Sequence, residues 1–372
     1  MENLRPTYAE INLSNLISNL SFISSKIKPK TEIMAVVKAD AYGHGADLTA
    51  KKLFDCGVNI FGVSSIEEGI ALRHSGINAN ILILGSQYPF ENFREVIKHN
   101  LIPTISSVEA AMELSKYANG LNIKIGYHYK VDTGMGRIGV SAANAYNVYK
   151  KISVFENINI QGVYTHLAKA ETDKMFTRRQ LKSLKNTAHK IRSESEGVKI
   201  HAANSAAALM YPESQLDIAR IGLALYGLKP FSQAKAFEGL KPVLSLKSKV
   251  VFIKKVPKNT PISYCSTFRT KKPSWIATIP IGYADGYSRL LSNNGRVIIK
   301  GKFCPVVGRV TMDMIMADVT NAGRVYVGDN VVLIGSENNL AVTAEEIAEK
   351  TNTISYEVVC RISSRVPRKY VE

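Results

Sequence analysis

The segment A-V-V-K-A-D-A-Y-G-H-G at residues 35–45 places a lysine where it can react. Lys38 follows the apolar run Ile33–Val37, which is typical of a buried strand, so its amine lies at the carboxyl end of that strand. Active sites of parallel barrels lie at that end, and a partly desolvated lysine can form a Schiff base. A lysine that extends its charge into solvent fits the same position. The glycines Gly43 and Gly45 favour chemistry, because glycine lets the backbone approach a ligand closely.

Two later segments contain groups that can bind a phosphate. The segment H-A-A-N-S-A-A-A-L contains Ser205, and A-R-I-G-L-A-L-Y-G contains Gly222 and Leu223. In many parallel barrels the loops after strands seven and eight bind phosphate through backbone N–H groups and a helix N-terminus. Each segment alone fits an ordinary serine cap or a packing glycine equally well. Together with a strand-end lysine they indicate a phosphate-bearing cofactor that forms an imine, namely pyridoxal 5′-phosphate (PLP).

Repeated strand and helix patterns must position these groups. Apolar runs rich in Ile, Val and Phe are followed, in most cases, by amphipathic stretches. The runs are Ile33–Val37, Ile60–Val63, Ile81–Leu84, Ile102–Ile105, Ile123–Val131, Ile158–Thr165, Val198–Ala203 and Ile218–Leu225. Parallel strands covered by helices on both faces have such continuous apolar sequences. Eight units in roughly 230 residues predict a (β/α)8 TIM-type barrel, with a doubly wound sheet as the alternative.

The pattern changes near residue 240. Six strand-like segments follow, separated by turn residues: Val243–Ile253, Ile276–Ile281, Val297–Ile299, Val306–Val310, Ile315–Val319 and Val331–Ile334. Only Thr343–Lys350 has a helical pattern, with Thr343 as its N-cap. The sequence therefore predicts a barrel domain of residues 1–240 and a mostly antiparallel β domain of residues 241–372.

The charge of the chain favours a solvated surface over a nucleic-acid interface. Its 48 basic and 31 acidic residues give a net charge of +17 among 372 residues. A basic balance can mark a nucleic-acid-binding protein. The lysines, however, are spread along the whole chain, without a basic block or a stripe of interleaved aromatic residues. We therefore expect no nucleic-acid partner.

The remaining composition predicts a cytoplasmic protein with free thiols. No apolar run reaches the ~18 residues of a membrane span, and the N-terminus lacks the layout of a signal peptide. The four cysteines are far apart in sequence, so neither a metal motif nor a disulfide framework is expected: Cys56, Cys265, Cys304 and Cys360.

Further motifs run in order along essentially the whole chain. Besides the lysine segment they are H-Y-K-V-D-T-G-M-G-R-I-G at 128–139, V-Y-T-H-L at 163–167, A-N-S at 203–205, R-I-G-L-A-L-Y-G at 220–227, I-S-Y at 262–264, I-P-I-G-Y-A-D-G-Y at 279–287, G-R-V-T-M-D at 308–313 and Y-E at 356–357. In these motifs the sequence resembles the bacterial alanine racemases. The members of that family are PLP-dependent enzymes with an N-terminal barrel and a C-terminal β domain. Their first few residues commonly add a strand to the C-terminal domain. Two subunits form a homodimer and share the active sites.

The resemblance implies two bases on opposite faces of the substrate. Lys38 is expected to hold PLP, and Tyr264 is expected to come from the partner subunit. Racemisation requires this arrangement, because a proton removed from one face of the α-carbon must be returned to the other. In the family the lysine acts on the D-enantiomer and the tyrosine on the L-enantiomer.

The catalytic tyrosine needs neighbours that stabilise its phenolate. A free tyrosine has a pKa of about 10, and burial raises it further, so positive charges or hydrogen bonds must act in the opposite direction. The resemblance supplies His166 near Tyr264, and Arg220 linked to His166 and facing the pyridine nitrogen. From periodicity alone, His166 fits an ordinary strand-end histidine.

The other site residues follow from the same resemblance. The expected cofactor-binding residues besides Lys38 and Arg220 are Tyr42, Ser205, Gly222, Leu223 and Tyr356. Arg137 is expected to bind the substrate carboxylate or to orient the phenolic oxygen of the cofactor. Met312 is expected to contact the substrate carboxylate through its backbone N–H, from the second subunit. Tyr283 lies in the segment that forms the entrance in the family.

Two positions leave the chemistry open. Lys130 matches a lysine that is often carbamylated in the family, which would give an anion able to pair with Arg137; an unmodified solvent-side lysine is the alternative. Residue 311 is threonine where many relatives have cysteine, so the pocket can differ in size or preference.

These observations predict an alanine racemase that interconverts L- and D-alanine and supplies D-alanine for peptidoglycan. The alternative within the same fold is a broad-specificity or serine racemase. A PLP decarboxylase on a related barrel is disfavoured by the pairing of Lys38 with Tyr264 and by Arg220. A noncatalytic PLP carrier and a basic nucleic-acid-binding protein are the alternatives outside this class.

Overall fold

Two compact units make up the described chain. The computed structural model describes residues 5–231 and 234–372. The barrel unit contains residues 20–41 and 46–225, and the β unit contains residues 5–19, 42–45, 226–231 and 234–372. A single boundary between residues 240 and 241 stays a prediction.

The barrel unit contains eight parallel strands within its described residues, as the sequence predicted. In chain order, the first to the eighth barrel strand are Glu32–Val36, Ile60–Val63, Asn80–Ile83, Thr104–Ile105, Ile125–Asp132, Ile158–Tyr164, Lys199–His201 and Ile218–Ile221. A short strand, Val140–Ser141, pairs beside the fifth. The first strand pairs with both the second and the eighth.

Backbone hydrogen bonds close this sheet into a barrel. The third strand and the residues before the fourth are joined by a parallel bridge between Leu82 and Ile102. Ile83 N donates to Ile102 O at 2.9 Å, and Ile102 N donates to Ile81 O at 2.8 Å. The alternative of an open, doubly wound sheet is therefore wrong. Met34, Ile60, Leu82 and Ile218 are buried together in the barrel interior.

Helices follow most of the barrel strands and begin at polar caps. Ser65, Ser107 and Asp173 each accept a hydrogen bond from a backbone N–H in the first turn of the helix that follows. The α-helices of the described chain are Leu13–Lys26, Lys38–Gly43, Ala46–Asp55, Ile66–His74, Phe93–Lys98, Val108–Gly120, Ala145–Ile152, Lys174–Arg192, Ser205–Met210, Ala344–Thr351 and Ser355–Cys360. Its 3₁₀ turns are Phe90–Asn92, Pro212–Ser214, Leu223–Tyr226, Lys235–Phe237, Tyr264–Ser266, Tyr283–Asp285 and Arg289–Leu291. Within residues 5–231 and 234–372, no helix is both long and apolar enough to cross a membrane.

The β unit is mostly antiparallel and is built around one large sheet. Its neighbouring strands, from edge to edge, are Lys302–Pro305, Arg296–Ile299, Asn330–Glu337, Leu244–Lys249, Tyr8–Asn12 and Arg368–Val371, and Leu340–Val342 pairs with Asn330–Glu337. Only the pair formed by Tyr8–Asn12 and Arg368–Val371 is parallel among them. A three-stranded sheet contains Phe252–Val256, Ser274–Ile279 and Ile315–Asp318, and a two-stranded one contains Pro261–Ile262 and Phe268–Arg269.

Two strand predictions in the β unit were wrong. The run Val243–Ile253 is divided between two strands in different sheets. The run Val306–Val310 forms only an isolated bridge at Val306, because Gly308 has a φ of 78° and interrupts extended backbone. The predicted helix cap is confirmed, since Thr343 Oγ1 accepts a hydrogen bond from Glu346 N at 3.1 Å.

Candidate active site

Lys38 begins a short helical turn of left-handed backbone directly after the first barrel strand. Ala39, Asp40, Ala41 and Tyr42 all have φ between 52° and 54°. This region costs a residue with a Cβ roughly 1–2 kcal/mol, so a run of such residues persists only where the surroundings hold it.

Two carboxylates hold the backbone of this turn within the barrel unit. Ala39 N donates to Glu68 Oε1 at 2.7 Å, and Ala46 N donates to Asp40 Oδ1 at 2.7 Å. The second oxygen of Glu68 accepts from Ser64 N at 2.7 Å, at the end of the second barrel strand. The strain is therefore offset by charge-assisted hydrogen bonds.

The two glycines after this turn are needed for packing within the protein. A Cβ at Gly43 would lie 2.4 Å from Val359 O, and one at Gly45 would lie 1.8 Å from the Tyr370 hydroxyl. The sequence argument assigned these glycines to close approach of a ligand. The structure gives them a different reason, which is close packing inside the β unit.

Arg220 forms the centre of a polar cluster inside the barrel. It lies on the eighth strand with 4% of its surface exposed. Its guanidinium donates four hydrogen bonds, to Thr165 O at 2.8 Å, Ala202 O at 2.9 Å, His201 Nδ1 at 3.0 Å and His166 Nδ1 at 3.4 Å. Burial lowers its pKa to about 10, so the side chain stays a cation at neutral pH.

Two buried histidines continue the hydrogen bonds of Arg220 through the barrel. His201 Nε2 lies 2.8 Å from His128 Nδ1. A guanidinium can only donate, so His201 accepts at Nδ1 and must donate from Nε2 to His128. Burial lowers the pKa of His128 to about 3, and burial together with His128 and Arg220 lowers that of His201 well below its ordinary value. Both rings are therefore neutral, and the direction of the chain is fixed.

His166 is also neutral, which determines the interactions that it can make with a neighbouring oxygen. Burial and the charges of Arg220, Lys130, Arg137 and Lys38 hold its pKa well below the ordinary value. Its Nδ1 accepts from Arg220, so the proton of the neutral ring lies on Nε2. His166 can thus supply a hydrogen-bond donor to a neighbouring oxygen but no positive charge.

Lys130 is an unusual cation because it lies in the barrel interior. It is 4% exposed, and its Nζ lies 4.1 Å from the centre of the Tyr164 ring. Burial and the charges of Arg220 and Arg137 hold its pKa well below the ordinary value, and Asp132 does not reverse the shift. A solvent-side lysine, the alternative considered from sequence, is therefore wrong.

Tyr164 packs against both Lys130 and Arg220 through its ring. Its hydroxyl is 2.7 Å from Thr104 Oγ1 and donates to Leu84 O at 3.2 Å, and burial raises its pKa to about 12. Its ring stacks on His201 at 4.6 Å, while Arg220 lies 5.3 Å from its centre. The neutral phenol therefore contacts both cations through its ring without adding a charge of its own.

Ser205 is tied to the loop after the eighth strand. Its Oγ accepts hydrogen bonds from Gly222 N at 3.0 Å and Ala224 N at 3.3 Å. The helix Ser205–Met210 is capped by Asn204, whose side chain accepts from Ala207 N at 2.9 Å. An ordinary serine cap is therefore excluded, and the hydroxyl lies beside the predicted phosphate-binding amides.

Arg137 and Leu223 lie in the barrel unit, whereas the β unit carries the remaining predicted residues in two groups. Tyr42 and Tyr356 have ring centres 6.1 Å apart, and burial together with Tyr356 raises the pKa of Tyr42. Tyr264, Tyr283 and Met312 lie on loops with exposed fractions of 70%, 44% and 52%.

The loop that carries Met312 is closed by Thr311. Its hydroxyl donates to Met314 O at 2.8 Å and accepts from Met314 N at 3.1 Å. Thr311, which departs from the cysteine of many relatives, is therefore engaged in a local turn.

Comparison with known proteins identifies the family. The model of the alanine racemase N-terminal domain matches residues 11–230, and that of the C-terminal domain matches residues 243–370. The chain belongs to the alanine racemase family. An alanine racemase from Halothermothrix orenii is 45% identical over 368 residues, which cover 98% of this chain and 97% of the relative.

Solved alanine racemases share the whole fold. One from Clostridium difficile 630 superposes with a TM-score of 0.94 at 39% identity, covering 100% of this chain and 97% of its own. One from Bartonella henselae, with covalently bound pyridoxal phosphate, has a TM-score of 0.87 at 31% identity and covers 98% of this chain and 99% of its own. The family and the fold expected from the motifs are confirmed.

Sequence reasoning assigned no function to His128 and His201, although both lie in the motifs described above. Their signal was present in the sequence, since each is a polar residue within or at the end of an apolar parallel strand. Such residues are buried and need partners. The sequence did not show that the partners were each other and Arg220.

Replacing Ala39 with glycine should stabilise the protein. Ala39 is exposed and has a φ of 52°, so glycine removes a strain of roughly 1–2 kcal/mol, partly offset by the larger freedom of the unfolded chain. Ala71→Gly is the matched control, at an exposed site in the right-handed helix Ile66–His74, and should cost about 1 kcal/mol. Urea unfolding measures both variants. Equal losses would show that the turn is not strained.

The neutral histidines should make stability depend on pH below 6.5. The unfolded chain protonates His128 near pH 6.5, whereas the folded chain does so only near pH 3, so stability is lost as the pH falls through this window. His128→Gln should remove up to about 1.4 kcal/mol per pH unit from the slope of unfolding free energy against pH. Urea titrations between pH 7 and pH 4 test this, and an unchanged slope would contradict it.

Proposed function

We propose that this chain is an alanine racemase whose two bases are Lys38 and the partner subunit's Tyr264. The observation that carries the proposal is the buried cation Arg220, held by four acceptors in the barrel of a chain that belongs to this family. The same proposal includes a homodimer in the cytoplasm and a supply of D-alanine for peptidoglycan.

The donor set fits PLP as the cofactor. The barrel unit offers a primary amine at Lys38, a guanidinium at Arg220, and the Ser205 hydroxyl beside the Gly222 and Leu223 amides. These groups match an aldehyde, a pyridine nitrogen and a phosphate, respectively. Tyr42 and Tyr356 add two hydroxyls to the proposed phosphate set.

When bound, PLP would withdraw electrons from the substrate α-carbon and so acidify its proton. The residues of the chain would then act around it. Arg220 would face the pyridine nitrogen and leave it unprotonated, because the cation holds its own protons even with a lowered pKa. His201 and His128 would keep its guanidinium oriented.

Protons would move at two atoms on opposite faces of the substrate. Lys38 Nζ would take the α-proton of D-alanine, and the phenolic oxygen of the partner subunit's Tyr264 would take that of L-alanine. His166, neutral and protonated at Nε2, would stabilise the phenolate by donating a hydrogen bond. Arg137 and the backbone N–H of Met312 would bind the substrate carboxylate, the latter from the second subunit.

The exposed loops support the dimer. Tyr264 stands 70% exposed in a turn whose neighbours Ser263 and Cys265 have φ of 65° and 60°. Strained backbone that presents an aromatic side chain to solvent is typical of a functional site completed by another molecule. A second copy of the chain would cover it.

The two-base proposal is tested by proton exchange in D₂O. The PLP-loaded wild-type protein should racemise alanine and exchange the α-proton of both enantiomers. Lys38→Ala should lower racemisation on the order of 10²–10⁴-fold, as expected for loss of a catalytic base. Tyr264→Phe should lower the rate of α-proton exchange from L-alanine by a similar factor. It should leave the rate of exchange from D-alanine unchanged.

Tyr326→Phe, at another exposed tyrosine of the β unit, is the matched control and should behave as wild type. Equal loss of exchange from both enantiomers in Tyr264→Phe would reject separate bases. Racemisation assays with L-serine and L-lysine beside L-alanine would distinguish an alanine racemase from a broad-specificity racemase. A broad-specificity enzyme would racemise the other two amino acids at comparable rates.

We infer that Lys130 is carbamylated. Its lowered pKa increases the fraction of unprotonated amine. The nitrogen lone pair would attack the carbon of CO₂ to form an N–C bond, one C=O π pair would become the carboxylate charge, and the nitrogen would release a proton to solvent. The resulting anion would replace one of three neighbouring cations and pair with Arg137. Carbon-13 bicarbonate should label the wild-type protein in NMR spectra and leave Lys130→Gln unlabelled. A wild-type spectrum without this resonance at saturating bicarbonate would contradict the inference.

A further inference from the structure

A buried carboxylate lies beneath the loops of the β unit that carry Tyr283 and Met312. Asp285 ends the 3₁₀ turn Tyr283–Asp285, and its side chain is fully buried. Burying a carboxylate is costly unless it is paired and hydrogen-bonded. Its position therefore depends on the groups that pair with it.

Arg5 provides the main pairing. Its Nη1 donates to Asp285 Oδ1 at 2.6 Å and its Nη2 donates to Asp285 Oδ2 at 2.8 Å, a two-point contact. Gly282 N donates to Oδ2 at 3.0 Å, and Arg365 Nε lies 3.4 Å from Oδ1. Although burial acts in the opposite direction, Arg5 and Gly282 hold the pKa of Asp285 below its ordinary value, so the pair stays ionised at neutral pH.

The same N-terminal segment also fixes the residues before the turn. Arg5 Nη2 donates to Pro280 O at 3.1 Å, and Thr7 Oγ1 donates to the same carbonyl at 2.8 Å. Both ends of the segment 280–285 are thereby attached to the chain that leads into the strand Tyr8–Asn12. This attachment is made 280 residues away in sequence, so the turn does not hold itself by local bonds alone.

The turn in its own right holds the loop that carries Met312. Tyr283 N donates to Thr311 O at 3.0 Å, and Ala284 N donates to Met312 O at 3.1 Å. A Cβ at Gly282 would lie 2.2 Å from Met312 O, so the two backbones are in close contact. A displacement of the turn must therefore displace the peptide groups of the loop.

We propose that Arg5 is a positioning residue for racemisation. By pairing with Asp285 it fixes the turn Tyr283–Asp285, and through the turn it fixes the loop whose Met312 N–H binds the substrate carboxylate in the partner's site. This proposal rests on the proposed function, because the substrate contact of Met312 belongs to it. Arg5 touches neither substrate nor cofactor.

The matched control is a second arginine–carboxylate pair in the same unit. Arg296 contacts Glu346 at two points, each 2.8 Å long. Within the described chain it makes no hydrogen bond to the turn or to the Met312 loop. Arg296→Gln therefore removes an equivalent ion pair without touching the proposed connection.

Hydrogen exchange of the holoenzyme tests the connection without any assay of activity. In Arg5→Gln, the amides of Tyr283 and Ala284 should exchange about tenfold faster, because the loss of a charged hydrogen-bond pair loosens the turn. They should keep their wild-type rates in Arg296→Gln. Unchanged rates in Arg5→Gln would overturn the proposal, whatever reaction the enzyme catalyses.

Steady-state kinetics test what the connection does for the substrate. Arg5→Gln should raise the KM for alanine about tenfold with a smaller change in kcat, because the carboxylate contact serves the ground state and the transition state alike. Arg5→Lys, which keeps the charge but not the two-point geometry, should be intermediate and provides the test if Arg5→Gln fails to fold. A lowered melting temperature with wild-type KM would show a merely structural role and overturn the proposal. A wild-type enzyme that does not racemise alanine would reject the proposed function, while the exchange result would still stand on its own.

Discussion

The guanidinium of Arg220 is a permanent charge inside a closed parallel barrel, and the neighbouring polar groups are arranged around it. Two backbone carbonyls and two histidine nitrogens accept hydrogen bonds from its N–H groups, and these bonds determine which nitrogen of each ring is protonated. Burial lowers the pKa of His166 and Lys130, and the charge of Arg220 lowers it further. Burial and one fixed cation thus shift the titratable groups around the site together.

The position of Lys38 depends on a different constraint, which is the left-handed turn that follows it and precedes Gly43 and Gly45. Residues with a Cβ avoid this backbone, so the turn needs hydrogen bonds, one to Glu68 outside the turn and one from Ala46 N to Asp40 within it. The glycines that follow allow close packing within the β unit. The hydrogen bonds to Glu68 and Asp40 thus stabilise the strained turn directly after Lys38.

Some exposed residues of the β unit are proposed to act in the active site of a second chain. Tyr264 and Met312 are both exposed, and the loop of Met312 is bonded through its backbone to the turn Tyr283–Asp285, whose Asp285 pairs with Arg5. Rigid loops that expose aromatic and apolar side chains have a preformed surface for a partner. In the proposed homodimer this rigidity would place one chain's residues at the other chain's barrel.

The sequence by itself predicted the eight strands and favoured a barrel, because buried parallel strands leave continuous apolar runs that can be recognised without knowing their partners. The structure decided against the doubly wound alternative by pairing the third strand with the residues before the fourth. Motif order also identified the family and the candidate residues, including Lys38 and Arg220. Only the tertiary structure decided that Lys130 is buried, that His201 joins Arg220 to His128, and that Arg5 pairs with Asp285. Burial, protonation and long-range pairing depend on which side chains meet across the fold, and residues distant in sequence carry no local pattern that records such contacts.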